Sequence, residues 1–153
     1  MSDPDVYRRL AALEKWRDQM ASVEVPSITQ GTWVPTYIGN TIAGTTTYTL
    51  QSGSYVRIAR AVLFTMTVVW TAATGTGLAL YSLPLPVSST ADQYFAATCR
   101  SSGITFGAGA PEVEIDNGTQ QAYLRYPTSD AATSDINVEA AGNVIISGWY
   151  LTT

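Results

Sequence analysis

Two kinds of hydrophobic spacing run along this chain, and they meet at Pro26. Before it, Val6, Leu10, Leu13 and Met20 recur at steps of four, three and seven. That spacing places them on one face of a helix spanning residues 3–24. Trp16 and Val23 lie beside this stripe, and Arg17 occupies the position where a 3.5-residue repeat expects an apolar group. Asp3, Pro4 and Asp5 form a helix start, with a side-chain cap, a proline where its missing N–H costs nothing, and a carboxylate at the positive end of the dipole. Pro26 and the β-branched residues before it end the helix.

After Pro26 the pattern changes to short stretches rich in Val, Ile, Thr, Tyr and Phe, separated by Gly, Ser, Asn and Asp clusters. These predict strands near 32–38, 46–51, 54–71, 77–82, 93–99, 104–107, 112–116, 121–126, 134–140 and 143–152. The stretch 54–71 is too long for one flat strand and is expected to bend. Within it Val62, Phe64, Met66, Val68 and Trp70 fall on one face, and Ala61, Leu63, Thr65, Thr67 and Val69 on the other. A strand with two fairly apolar faces fits a place between a domain core and a subunit neighbour. Asp116-Asn117-Gly118 reads as a hairpin turn. Regular turns between short strands argue a mainly β fold, an antiparallel β-sandwich or jelly-roll-like head. The domain reading is a helix over 1–25 and a β head over 26–153.

So short a helix is marginal alone, and its stripe needs a partner. Three arrangements remain open: packing back on its own β head, a coiled coil with copies of itself, or docking into a groove of another protein.

Composition narrows the functions. The chain has 153 residues and a net charge of −4, with one Lys and seven Arg. Only Arg57, Arg60, Arg100 and Arg125 follow Pro26, so no broad basic surface for nucleic acid is expected. No apolar run reaches the ~18 residues of a membrane span. No signal-peptide layout opens the chain, which points to synthesis in a cytoplasm. Cys99 is a lone cysteine, read as a small buried hydrophobe.

The chain contains no histidine. That removes the usual general base, the Ser-His and Cys-His pairs, and most transition-metal sites. Gly75-Thr76-Gly77 lacks the rest of a phosphate loop and reads as a turn. Asn117-Gly118-Thr119 matches a glycosylation sequon but also reads as a turn. Glu112, Glu114 and Asp116 alternate along one predicted strand and share a face at steps of about 7 Å. Such a row can hold a divalent cation or serve as an acid–base pair. Its simpler reading is a solvated strand face, with Val113 and Ile115 directed to the core. Tyr37, Tyr48, Tyr94, Tyr123, Tyr126, Trp149 and Tyr150 are candidates for stacking on sugars. No cofactor is expected and no enzyme activity.

The order of the motifs in the β head carries a resemblance. Gly31-Thr32-Trp33-Val34-Pro35-Thr36 opens it, and Gly53-Ser54-Tyr55-Val56-Arg57-Ile58-Ala59-Arg60-Ala61-Val62 follows. Next come Gly75-Thr76-Gly77-Leu78-Ala79-Leu80 with Leu83-Pro84, and Gln121-Ala122-Tyr123-Leu124. Gly142-Asn143-Val144-Ile145-Ile146-Ser147-Gly148-Trp149-Tyr150 closes the series. This resembles the small C-terminal β domains of bacteriophage tail fibres, head fibres and related receptor-binding appendages. Ala59 and Ser82 stand where that pattern has glycine. The resemblance implies a homotrimer and a three-stranded coil built on Val6, Leu10, Leu13, Arg17 and Met20. It also implies a place in the virion, with the helix meeting other virion proteins and the head meeting host-surface glycans. A capsid decoration or head-fibre protein is the alternative, and a free carbohydrate-binding module a further one.

Overall fold

The computed structural model describes residues 4–21, 26–90, 94–107, 109–129 and 132–153. Helix α1 runs Pro4–Ala21. Ten strands follow: β1 Ile28–Trp33, β2 Tyr37–Gly39, β3 Thr46–Ile58, β4 Ala61–Ala73, β5 Ala79–Ser82, β6 Phe95–Ser102, β7 Glu112–Ile115, β8 Gln121–Ser129, β9 Ala132–Asp135 and β10 Gly142–Leu151. The expected cap at Asp3 and the helix stop at 23–25 lie outside the described residues.

The strands form one antiparallel sheet in the order β1-β3-β4-β10-β6-β7-β8-β5-β2, with β9 attached to β8. β1 and β2 are at opposite ends of that order, yet only residues 34–36 separate them in the chain. Four residue steps reach ~14 Å at most, so the sheet must curl until its ends meet. The result is a curled antiparallel sheet, a half-barrel; the division into two packed sheets expected of a sandwich or jelly roll is not shown, although Tyr37 of β2 stacks on Trp70 of β4 across the core at 4.1 Å. Side chains hold the closure. Trp33 Nε1 donates to the Ser82 carbonyl at 3.1 Å, Thr36 N donates to Ser82 Oγ at 2.8 Å, and Gln51 Nε2 donates to the Pro35 carbonyl at 2.8 Å.

The concave face is the core. Val62, Phe64, Met66, Val68 and Trp70 of β4 are buried, as the alternation predicts. They meet Val144, Ile146 and Tyr150 of β10, with Val113, Ile115, Ala122 and Leu124 farther round the curl. Large and small residues alternate across the strands. The Trp33 ring covers Gly53 and the Tyr55 ring covers Gly31, the residues directly opposite them. A Cβ on either glycine would lie under 3 Å from the ring. Trp70 likewise covers Gly142. Cys99 is half-buried against this core, and burial pushes its thiol up to about 11.

The stretch expected as one bent strand, 54–71, is a tight hairpin. Ile58 pairs with Ala61, so Ala59 and Arg60 alone make the turn between β3 and β4. Neither is an ordinary turn residue, and the sequence therefore gives no marker there. Ala59 takes φ +52°, a left-handed conformation that favours glycine. The surroundings hold it: Ala59 N donates to the Ser27 carbonyl, Arg57 Nε donates to the Ala59 carbonyl at 2.7 Å, and Arg60 reaches the Thr152 carbonyl and Ser88. The strands expected at 46–51 and from 54 are one continuous β3, so Ser52-Gly53-Ser54 is not a turn, and the strand expected at 32–38 is divided between β1 and β2. Two more expectations shift. Residues 104–107 are not a strand, and the strand expected at 134–140 is β9 followed by an isolated pairing of Asn137 with Leu78.

Ala59→Gly removes the steric cost of that turn, on the order of 1–2 kcal/mol, at some cost in chain entropy. A net gain of about 0.5–1 kcal/mol in unfolding free energy is expected, read by urea denaturation at one fixed protein concentration.

Four buried phenols, Tyr37, Tyr81, Tyr123 and Tyr150, set the alkaline limit. Burial pushes Tyr37 and Tyr150 up to about 12, and Tyr81 well above its ordinary value. The folded chain keeps protons that the unfolded chain releases near pH 10, so this contribution is complete below about pH 10 and lost as pH rises towards 12. A titration followed by tyrosinate absorbance is expected to show a late group of phenols that ionises only together with loss of the fold.

Candidate functional site

Every described side chain of α1 is exposed. Val6, Leu10, Leu13 and Met20 are each more than half exposed, as are Tyr7 and Trp16 beside them. The β head of the same chain therefore does not cover this stripe. Arg17 pairs with Asp18 at 3.0 Å in full view of solvent. No helix among the described residues is long and apolar enough to cross a membrane.

The convex face of the sheet divides into two halves of different character. Strand register places its residues in rows. Over β1, β3, β4 and β10 one row is Ile28, Ile58, Ala61, Leu151, and the next is Gln30, Val56, Leu63, Trp149. Ile28 is 67 % exposed, Leu63 49 % and Trp149 54 %. The rows beyond are Thr32, Ser54, Thr65, Ser147, Thr98, then Ser52, Thr67, Ile145, Arg100, then Leu50, Val69, Asn143, Ser102. Arg100 is the one charged residue in these five rows.

The other half, over β6, β7 and β8, carries charge. Ala96, Glu114 and Tyr123 form one row, and Glu112, Arg125 and Asp135 another. Val113 and Ile115 point inward and are buried, as the alternation predicts. The carboxylates are not merely solvated, however. The Tyr123 hydroxyl lies 2.8 Å from both Glu114 Oε1 and Asp116 Oδ1. Arg125 Nη1 donates to Glu114 Oε2 at 2.7 Å, and its Nε donates to Asp135 Oδ1 at 3.1 Å. The guanidinium also stands over the Tyr123 ring, 5.0 Å from its centre. Burial and the two carboxylates hold the Tyr123 phenol well above its ordinary value. Glu114, Asp116 and Asp135 are thus joined to Tyr123 and Arg125 in one network, while Glu112 is exposed at its rim. Among the described residues no group of three His, Cys, Asp or Glu is placed to hold a metal ion.

Beside this network lies a cleft of about 630 Å³, lined by Tyr94, Phe95, Ala96, Glu112, Glu114 and Arg125 among others. A second depression of about 300 Å³ lies across Arg125, over Tyr123, Asn40 and Gln121.

The aromatic candidates separate cleanly. Tyr37, Tyr123 and Tyr150 are buried, while Tyr48 and Tyr126 pack against the core. Tyr94 and Trp149 are exposed, at 66 % and 54 %. Trp149 contacts the edge of Phe95 with ring centres 5.6 Å apart. Asn117 sits in a five-residue loop after β7, not a two-residue turn; its Nδ2 donates to the Thr90 carbonyl, and Gly118 has φ +68°. Arg125 was not singled out from the sequence. Its signal was faint: one of four cations in the head, on a strand paired with the acidic one.

No protein-family model matches the chain, and no curated protein matches it. Among solved structures, the crystal structure of the Dettilon tailspike protein gp208 is similar, with a TM-score of 0.63 and 15 % sequence identity. The match covers 80 % of this chain and 23 % of the tailspike, so the chain spans about a quarter of that protein's length. The shared feature is the fold.

Removing the Tyr123 hydroxyl leaves two neighbouring carboxylates without their common donor. Tyr123→Phe is expected to lower unfolding free energy by about 1–3 kcal/mol in urea. Glu112→Gln, on the exposed rim, is expected to change it by less than about 0.5 kcal/mol.

Proposed function

We propose that this chain is a structural appendage of a bacteriophage virion, a homotrimer that presents its β head to the host surface. One observation carries the reading. Two exposed apolar surfaces lie next to each other in the chain: the α1 stripe, and the uncharged half of the convex face, which begins at Ile28, seven positions after Ala21. A helix in a protein takes most of its stability from packing its apolar face, and exposed apolar sheet rows mark an interface. Copies of the chain satisfy both at once. The helices coil around one axis through Val6, Leu10, Leu13, Arg17 and Met20, and the heads meet through β1, β3 and β4. The likeness in fold to a phage tailspike supports a place on the virion.

The charged half of the convex face, on β6, β7 and β8, then points away from the axis. The function is attachment by recognition of host glycans, not chemistry. Three weak sites on one trimer gain avidity of roughly 10²–10⁴ without any new contact. Glu114 and Asp116, the carboxylates best placed for acid–base work, are engaged by Tyr123 and Arg125, which favours a binding surface over a catalytic one. The helix orients the head against other virion proteins.

Sedimentation of the full chain tests the assembly. A trimer is expected. Leu13→Asp in the helix and Leu63→Asp on the sheet are each expected to shift it towards monomer at micromolar concentration. A monomeric wild-type chain would overturn the proposal and favour a free binding module.

A further inference from the structure

Granting that the head is an attachment surface, its ligand site can be located. We propose that the cleft between β6, β7 and β8 binds a saccharide, and that it selects neutral or amino-bearing sugars over acidic ones. The site has Tyr94 as its stacking plate and Glu112, Glu114 and Arg125 as its polar rim.

The cleft's size and lining point to such a ligand. Its volume of about 630 Å³ falls within the usual ~300–1,000 Å³ of small-ligand sites. Its floor is low because Ala96, opposite Glu114, contributes only a methyl group. A sugar ring offers an apolar C–H face and a rim of hydroxyls. The C–H face fits a flat aromatic side chain that is exposed and amphipathic, as Tyr94 is. The hydroxyls fit groups that accept and donate side by side. Glu112 and Glu114 accept, and Arg125 offers the N–H groups beyond those given to Glu114 and Asp135.

Rigidity favours the same reading. Arg125 is tied by Glu114 and Asp135 and lies over Tyr123. A ligand meets groups already ordered, so little side-chain entropy is lost on binding. The adjoining depression shares Arg125 and is lined by Asn40, Gln121 and Tyr123. A chain of several rings can continue over the guanidinium from one to the other.

The charge pattern sets the selectivity. Arg125 is the cation of the cleft lining and is already matched by Glu114 at 2.7 Å and Asp135 at 3.1 Å. Glu112 and Asp116 add negative charge on either side of it. A uronate or phosphate group would be brought against like charge with its natural partner engaged. An ammonium group would find carboxylates.

The experiment is binding of the full-length protein to an array of bacterial surface polysaccharides printed as neutral, amino-bearing and uronate- or phosphate-bearing sets. Binding confined to the first two sets is expected. Tyr94→Ala is expected to weaken it about tenfold, and Glu112→Lys to admit the acidic set at least fivefold better. Both variants should keep the sedimentation and circular dichroism of the wild type, since both side chains are exposed. Glycan binding that neither variant alters would overturn the site and leave the attachment reading intact. Tighter wild-type binding to the acidic set would overturn the selectivity. Absence of binding to any set would overturn both the site and glycan attachment.

Discussion

Three residues tie the two ends of this sheet together, and the remaining architecture follows from that tie. β1 and β2 are the outermost strands, but the chain passes from one to the other through Val34, Pro35 and Thr36. A flat sheet of this many strands would separate its edges far beyond the reach of so short a link. The curl gives the fold an inside. It also covers the sheet edges, since Trp33 and Thr36 bond to Ser82 where β1 comes round to β5. The Ser82 side chain adds a bond of its own to this seam. Without the tie, the buried row on β4 would be the exposed face of an open sheet.

Most of the strands were legible because alternation and turn chemistry agree with their final environment. β4 is the clearest case, its inward residues separated from its outward ones by simple parity. The Gly-Thr-Trp and Gly-Ser-Tyr motifs were visible as strings, but their meaning was not. Only the register shows that each motif's aromatic ring covers the glycine of the other. The turn at Ala59-Arg60 was hidden for the opposite reason. It is held by bonds to residues distant in the chain, from Arg60 to Thr152 and Ser88 and from Ala59 to Ser27, and not by the usual turn chemistry of Gly, Asn or Pro. Closure into one curled sheet was also out of reach, because it depends on which strands become neighbours across the whole chain. A sandwich and a half-barrel share the same strand pattern.

The site was half legible. Glu112, Glu114 and Asp116 were placed on one face by their spacing, and the inward direction of Val113 and Ile115 followed from it. That Glu114 and Asp116 belong to a network, while Glu112 stays a solvated edge, depends on β8 lying next to β7. This neighbour brings Tyr123 opposite Glu114, and Arg125 opposite Glu112. Trp149 and Tyr150 are divided by strand parity alone, whereas Tyr123 stands in the convex row and is buried among Glu114, Asp116 and Arg125, neighbours that local pattern does not encode.

A curled sheet has a consequence for assembly. Its concave face supplies the core, and its convex face has no second layer to cover it. Evolution can make that face polar throughout, or leave part of it for a neighbour. Here the two choices are divided by strand. The half on β6, β7 and β8 carries most of its charges as a tied network with a cleft beside it. The half on β1, β3, β4 and β10 is Thr, Ser, Gln30, Asn143 and large apolar residues, with Arg100 reaching its rows from β6. The uncharged half is also the one the chain reaches first from the helix. Under the proposed trimer, the helical stripe and this half-face are one continuous self-association surface. The tie between β1 and β2 then fixes which side of the head faces the axis, and therefore which side faces the host.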